Sequence, residues 1–329
     1  MNQWFVRLSF CAEVVMPTRF IRYAALVVAL LGSSSIAFAQ ETVPDTRTDR
    51  WLTNPVDDAT FQTYLEFFAY NKSLPFDVVV GETTTEQGIV RQHVTYQSTQ
   101  QITVTAYLYR QESPTAGSRG GIIYLHGGTG RGKDAGPGVQ LGVLMARDGW
   151  TVLAIDLWHY GERNTGLLTT YTTQEKTDRL YNEPTTYLTF VTQTVKDVSR
   201  GYDYLVQERG VDANRIFLIG HSRGAVLSSI AGAAETRLAG VALLHGGHFG
   251  LLVQSHRPAA CPANYVGRIS PRPLLMMNTT SDTYFLPETT IRPWIRLARD
   301  PMEIHWTDTP HGFMSEEDRS TMLAWLRKR

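Results

Sequence analysis

The stretch that most constrains this chain is Gly220-His221-Ser222-Arg223-Gly224, read together with its flanks. Ahead of it, Arg215-Ile216-Phe217-Leu218-Ile219 is a short, nearly all-apolar run, the pattern of a strand covered on both faces in a parallel sheet. Behind it, Ala225 to Ala231 reads as a helix. A chain that passes from strand to helix in so few residues crowds the backbone between them, so the positions two before and two after the central residue must lack bulk. Gly220 and Gly224 meet that demand. The motif is a G-x-S-x-G elbow, in the strand-turn-helix context that lets it present Ser222 as a nucleophile.

A serine hydroxyl is a poor nucleophile until a base takes its proton, and the base needs a carboxylate to fix its tautomer and stabilise the imidazolium. On an elbow of this kind the chain order is Ser, then Asp or Glu, then His. His245, His248, His256, His305 and His311 follow Ser222. His311 has the position for the base, because Pro310-His311-Gly312-Phe313 falls between the last expected strand and the last expected helix. His305 lies inside that strand, and His245 and His248 come early, where they can line a pocket. For the acid, Asp282 follows the run Leu274 to Met277; Glu288 is its rival and reads better as a helix N-terminal acid placed for the dipole.

The remaining pattern predicts what surrounds the elbow. Residues 61–70 have helical spacing, and 88–97 and 101–110 alternate as two antiparallel strands that open a sheet. Buried strands are expected at 122–125, 151–156, 241–244, 273–277 and 302–307. Helices are expected at 139–147, along the stripe Val191, Val195, Val198, Tyr202 and Leu205, at 287–298, and at 315–327, where Ser315 and Asp318 resemble a capping box. Such alternation gives an α/β fold with a mostly parallel central sheet and helices on both faces. Two stretches without regular pattern, 160–189 and 246–271, follow the carboxyl ends of strands and read as pocket walls or a small cap.

Acyl transfer develops an oxyanion, which backbone N–H groups stabilise. One donor follows the nucleophile, Arg223. The other comes from His126-Gly127-Gly128-Thr129-Gly130, with Gly128 preferred and Thr129 second. Gly127 to Lys133 also fits the phosphate-binding pattern G-x-x-x-x-G-K, but Asp134 stands where a magnesium-binding hydroxyl is needed and Pro137 sits where the helix should start. Asp156 to Arg163 reads as a loop tied by its own charges, with Trp158 and Tyr160, along with His126, as the walls of a substrate pocket. Cys261 reads as a half-buried loop thiol, and no His, Cys or Asp spacing marks a metal site, so neither metal nor cofactor is expected.

The start of the chain reads as a leader. Arg19 and Arg22 precede an apolar run from Ala24 to Leu31, and Ala37-Phe38-Ala39 supplies small residues before a cleavage point, so residues 1–39 are expected to be a signal peptide and the mature chain to begin at Gln40. The apolar run is too short to span a bilayer. The stretch before Met16 is unlike a leader, which leaves Met16 as an alternative start. Cys11 falls in the leader, so Cys261 has no disulfide partner in the exported chain. With 31 basic and 31 acidic residues there is no electrostatic footprint for nucleic acid. The expected partner is a small-molecule substrate; oligomeric state is not legible.

His126-Gly127-Gly128, Asp156 to Arg163, Gly220 to Gly224, Asp282 and Pro310 to Phe313 together resemble the α/β-hydrolase superfamily, in particular its dienelactone-hydrolase-like and prolyl-oligopeptidase-like esterases, from about residue 88 to 327. The resemblance implies a Ser222-Asp282-His311 triad, oxyanion donors at Gly128 and Arg223, and one α/β-hydrolase domain over 40–329. Dienelactone hydrolase itself has cysteine at the elbow; serine here points to ester or peptide hydrolysis. The expected activity is that of an exported serine carboxylesterase, periplasmic or secreted, with a serine peptidase of the prolyl-oligopeptidase type, lacking the extra domain, as the alternative.

Overall fold

Nine strands form one sheet in the computed structural model, which describes residues 49–113, 119–166, 172–181, 183–248 and 258–329. The strands are β1 (Val79–Glu86), β2 (Ile89–Thr99), β3 (Ile102–Gln111), β4 (Gly120–Leu125), β5 (Trp150–Ile155), β6 (Ile216–His221), β7 (Gly240–Leu244), β8 (Leu274–Thr279) and β9 (Met302–Thr307). They lie in the order β1-β2-β3-β5-β4-β6-β7-β8-β9. The ladders from β1 to β5 are antiparallel and those from β5 through β9 parallel. The expected leader lies outside the described residues, and Thr46–Arg329 forms one compact unit.

The antiparallel edge has three strands where the pattern predicted two. β1 is exposed along almost its whole length, so it has no apolar alternation to read; its ladder to β2 holds it. In the middle of the sheet the apolar runs behave as expected. β4 is buried throughout, with Ile123 and Leu125 in one core and Ile122 and Tyr124 in the other.

Each core is closed by helices. On one face lie α3 (Pro184–Gln207) and α4 (Arg223–Ala234); on the other lie α2 (Gly136–Arg147) and α5 (Glu316–Arg327). A first helix, α1 (Asp58–Leu65), buries Phe61 and is capped by Asp57, whose side chain accepts from Thr60 N at 2.7 Å. Pro137 does not break α2 but sits in its first turn, where no intrahelical acceptor exists for the N–H that proline lacks. Pro184 opens α3 in the same way, so the supposedly patternless 160–189 already contains the start of this long helix. Ser315 and Asp318 form the expected capping box at α5. The stretch predicted as a helix over 287–298 is instead a wide π turn, Pro287–Ile291, and one α turn, Arg292–Ile295.

The second irregular stretch is not a cap in its described part. Residues 258–268 form three 3-10 turns that bury Ala260, Cys261, Ala263, Tyr265 and Val266 in the core beside α4; residues 249–257 lie outside the described set. Among the described residues no helix is long and apolar enough to cross a membrane. The chain turns from β4 to β5 on one side and crosses to β6 on the other, which opens a crevice at the carboxyl ends of β4 and β6.

Candidate active site

Ser222 stands at that crevice, between the last residue of β6 and the first of α4. Its backbone has φ 54° and ψ −116°, a conformation that non-glycine residues avoid and that the surroundings must impose. The constraint is visible. Ser222 N donates to Leu244 O at 2.8 Å, which pins the turn to β7. A Cβ at Gly220 would be driven into the Gly224 carbonyl, and one at Gly224 into the carbonyl of Leu125. Although Ser222 is the N-cap of α4, its hydroxyl does not cap the helix. It lies 2.9 Å from His311 Nε2.

His311 sits in the loop between β9 and α5, and its Nδ1 is 2.7 Å from Asp282 Oδ2. Asp282 follows β8 and is buried; its Oδ1 accepts from Tyr284 N and Phe285 N, each at 2.8 Å. Burial alone would raise the Asp282 pKa, but the bonds from His311 and the two backbone N–H groups outweigh it and hold the carboxyl below its usual value. An ionised Asp282 fixes the proton on Nδ1, and that tautomer leaves Nε2 to accept from Ser222 Oγ–H. The rival acid, Glu288, is exposed and pairs with Arg292 Nε at 2.8 Å.

Two further histidines, His221 and His245, stand around His311. His221, His245 and His311 have ring centroids 5.7, 5.9 and 6.2 Å apart. His245, predicted to line a pocket, is buried, and its Nδ1 accepts the backbone N–H of Gly312 at 3.0 Å. It therefore anchors the loop that carries His311. Burial first, then the charge His311 would carry, pushes His245 down to about 4. Burial and then His245 push His221 down to about 3. Both rings are neutral at pH 7, and neutrality is what lets His245 Nδ1 accept. His305, read as packed or outward, lies 2.9 Å from Asp318 Oδ1.

The loop after β4 closes the other side. A Cβ built on Gly127 would lie 3.4 Å from Ser222 Cβ, and one on Gly128 would meet Arg223 Nε at 2.9 Å, so this loop lies directly against the elbow and the Arg223 side chain. Thr129 N donates to Gly127 O at 2.8 Å, which commits the second-choice donor elsewhere. His126 is buried rather than pocket-lining: its Nδ1 is 2.7 Å from Gly127 O and its Nε2 accepts from Leu157 N at 3.0 Å. The ring is thus a brace between the loops after β4 and β5.

Lys133, the lysine of the phosphate-like pattern, is fully buried and held by Asp156 at 3.1 Å, Asp134 at 3.2 Å and Glu162. Asp156 also accepts from Thr105 Oγ1 at 2.8 Å, and Arg163 binds the Asp156 carbonyl and Asp197. The Asp156 to Arg163 loop is therefore tied by its charges. Tyr160, predicted as a pocket wall, is buried beneath the surface against His126, with a centroid separation of 5.4 Å; Trp158 is partly exposed under Arg163. A cavity of about 240 Å³ beside His221 and Gly312 is walled by Leu141, Gln140, Phe313 and Arg319; Ser222 does not line it. None of the three predicted wall residues lines it.

Residues 122–328 match the model of the alpha/beta hydrolase family. No curated protein matches the chain. Among solved structures, acetyl xylan esterase 1 from Thermoanaerobacterium sp. JW/SL YS485 is similar over 84% of this chain and 97% of its own, with 15% identity and a TM-score of 0.63. The acetyl xylan esterase of Paenibacillus sp. R4 is similar over 85% and 98%, with 16% identity and a TM-score of 0.62. A putative dienelactone hydrolase of Klebsiella pneumoniae covers 77% and 99%, at 20% identity and a TM-score of 0.54. At these identities the likeness is one of fold.

Proposed function

The chain belongs to the alpha/beta hydrolase family, and from that premise we propose that it hydrolyses carboxylic esters through an acyl-enzyme on Ser222. His311 Nε2 takes the hydroxyl proton as Ser222 Oγ attacks the ester carbonyl, and the resulting oxyanion is held by the backbone N–H groups of Gly128 and Arg223. Arg223 opens α4, so its N–H lies at the positive end of the helix dipole. The tetrahedral intermediate collapses as His311 returns the proton to the departing alkoxide. Water, deprotonated by the same ring, then attacks the acyl carbon and frees the acid, and Ser222 recovers its proton. Asp282 remains ionised throughout and stabilises the imidazolium.

The observation that carries this reading is the line of two contacts, Ser222 Oγ to His311 Nε2 at 2.9 Å and His311 Nδ1 to Asp282 Oδ2 at 2.7 Å. It uses a different ring nitrogen for each partner, as proton transfer from a nucleophile requires. We further propose that residues 1–39 are removed on export and that 40–329 act as one domain in the periplasm or outside the cell; N-terminal sequencing of exported protein should begin at Gln40.

Esters are favoured over amides because an alkoxide leaves more readily than an amine from the same intermediate. The names of two structural neighbours make acetyl esters the first to try. A panel of p-nitrophenyl esters of increasing acyl length, run beside aminoacyl and peptidyl anilides, tests the reading: short and medium esters should have the higher kcat/KM. Anilides cleaved as well or better would replace it with the serine peptidase.

A further inference from the structure

Asp49, His248 and Cys261 come from three separate segments and converge on one point. His248 Nε2 lies 3.3 Å from Cys261 Sγ and 3.3 Å from Asp49 Oδ2, and the sulfur lies 3.9 Å from that same oxygen. Cys261, expected to be half-buried, is completely buried, as is His248. Asp49 Oδ1 accepts from Trp51 N at 2.9 Å, which aims its second oxygen at the cluster. Among the described residues no other group of three such side chains brings its ligand atoms this close together.

The way His248 faces its partners separates this cluster from the one around Ser222. His311 turns Nε2 to the hydroxyl and Nδ1 to the carboxylate, so a proton can pass along a line. His248 turns a single nitrogen on both thiol and carboxylate, and no such line exists. Donor atoms gathered around a common centre are instead the geometry of coordination. A tetrahedral zinc, with bonds of about 2.3 Å to sulfur and about 2.0–2.2 Å to nitrogen and oxygen, has donor–donor edges of about 3.3–3.6 Å. The three edges here, 3.3, 3.3 and 3.9 Å, need adjustments of a few tenths of an ångström. Thiolate, imidazole and carboxylate are also the donor set zinc takes.

We propose that Asp49, His248 and Cys261 form a zinc site. The zinc joins the segment at Asp49 to the turns at 258–268, which Val56 N and Asn264 Oδ1 already link at 3.0 Å. It also fixes the loop after β7, three residues from His245. Beyond the leader the chain has no second cysteine for a disulfide, and a metal supplies that crosslink. No sequence pattern marks the site, because the ligands are separated by 199 and 13 positions in the chain and share no motif.

The test uses full-length protein stripped with a chelator and titrated with Zn²⁺ or Co²⁺. One zinc per chain should bind, and zinc at a hundredfold excess over its Kd should raise the unfolding midpoint by about 5 °C. Cobalt should give the near-ultraviolet charge-transfer absorption of a thiolate ligand. That band should persist in Cys11→Ser, where Cys261 is the sole thiol, and vanish in Cys261→Ser; His248→Gln should weaken zinc at least about tenfold. Failure to take up either ion, uptake without a thiolate band in Cys11→Ser, or uptake unchanged in Cys261→Ser would each overturn the site. The Cys11→Ser spectrum decides the matter even where the other variants do not fold.

Discussion

His245 Nδ1 accepts the backbone N–H of Gly312 and so holds the loop that carries His311. Its importance gives a prediction that separates positioning from packing. His245→Ala leaves the half-buried Gly312 N–H without its acceptor, a loss of about 0.5–1.5 kcal/mol, and should lower kcat more than it raises KM. His245→Asn, whose side-chain oxygen can accept the same bond, should recover most of kcat; equal losses in both would mean the histidine serves only to fill space. At the acid, Asp282→Asn should cut kcat by about 10³–10⁴ by favouring the wrong tautomer, while Glu288→Gln leaves turnover nearly unchanged. The reverse outcome would move the acid to Glu288. Ser222, Asp282 and His311 were readable as residues because each carries a local signature: glycines at fixed offsets, a carboxylate just past a buried strand, a histidine before the last helix. His245 was readable only as a histidine after a strand, since what it does depends on the loop at 310–314, more than sixty positions away, folding back to it.

Elements were legible where an apolar period met a buried face, and obscure where it did not. β4 through β8 announced themselves as apolar runs, whereas β9, expected to be buried, is an edge strand in which no residue is buried. β1 did not announce itself, because an exposed edge strand is held by its ladder and not by its side chains. The start of α3 was hidden by a proline that reads as a breaker until one sees it in the first turn. Two predictions belong to this scale. Gly224→Ala puts a methyl into the carbonyl of Leu125, and because that neighbour is a central strand it cannot yield; stability should fall by at least about 2 kcal/mol in denaturant unfolding. Lys133→Met leaves the buried Asp156 without its main cation and should cost about 3–5 kcal/mol, whereas a surface lysine such as Lys328 should cost almost nothing. A near-neutral Lys133→Met would show that Thr105 and the backbone donors suffice for Asp156.

For the whole molecule, the buried histidines set a pH response. His245 and His221 titrate near 4 and 3 when folded but near the ordinary 6.5 when unfolded, so below 6.5 the unfolded chain binds more protons. Their contribution is complete above pH 6.5 and is lost as pH falls toward those folded values, by at most about 1.4 kcal/mol per pH unit for each ring. Asp282 acts in the same direction below its ordinary 3.8. Unfolding free energy should therefore decline from pH 6.5 to 4; a flat profile would mean these rings are hydrated in the folded state. That a single serine in the chain becomes acylated is tested most directly by reaction with an organophosphonate fluoride, followed by intact mass and peptide mapping. One adduct per chain is expected, on the peptide containing Ser222, with activity lost in proportion and no adduct in Ser222→Ala. An adduct on another residue that tracks the loss of activity, or a Ser222→Ala protein that still hydrolyses esters at the full rate, would contradict that expectation.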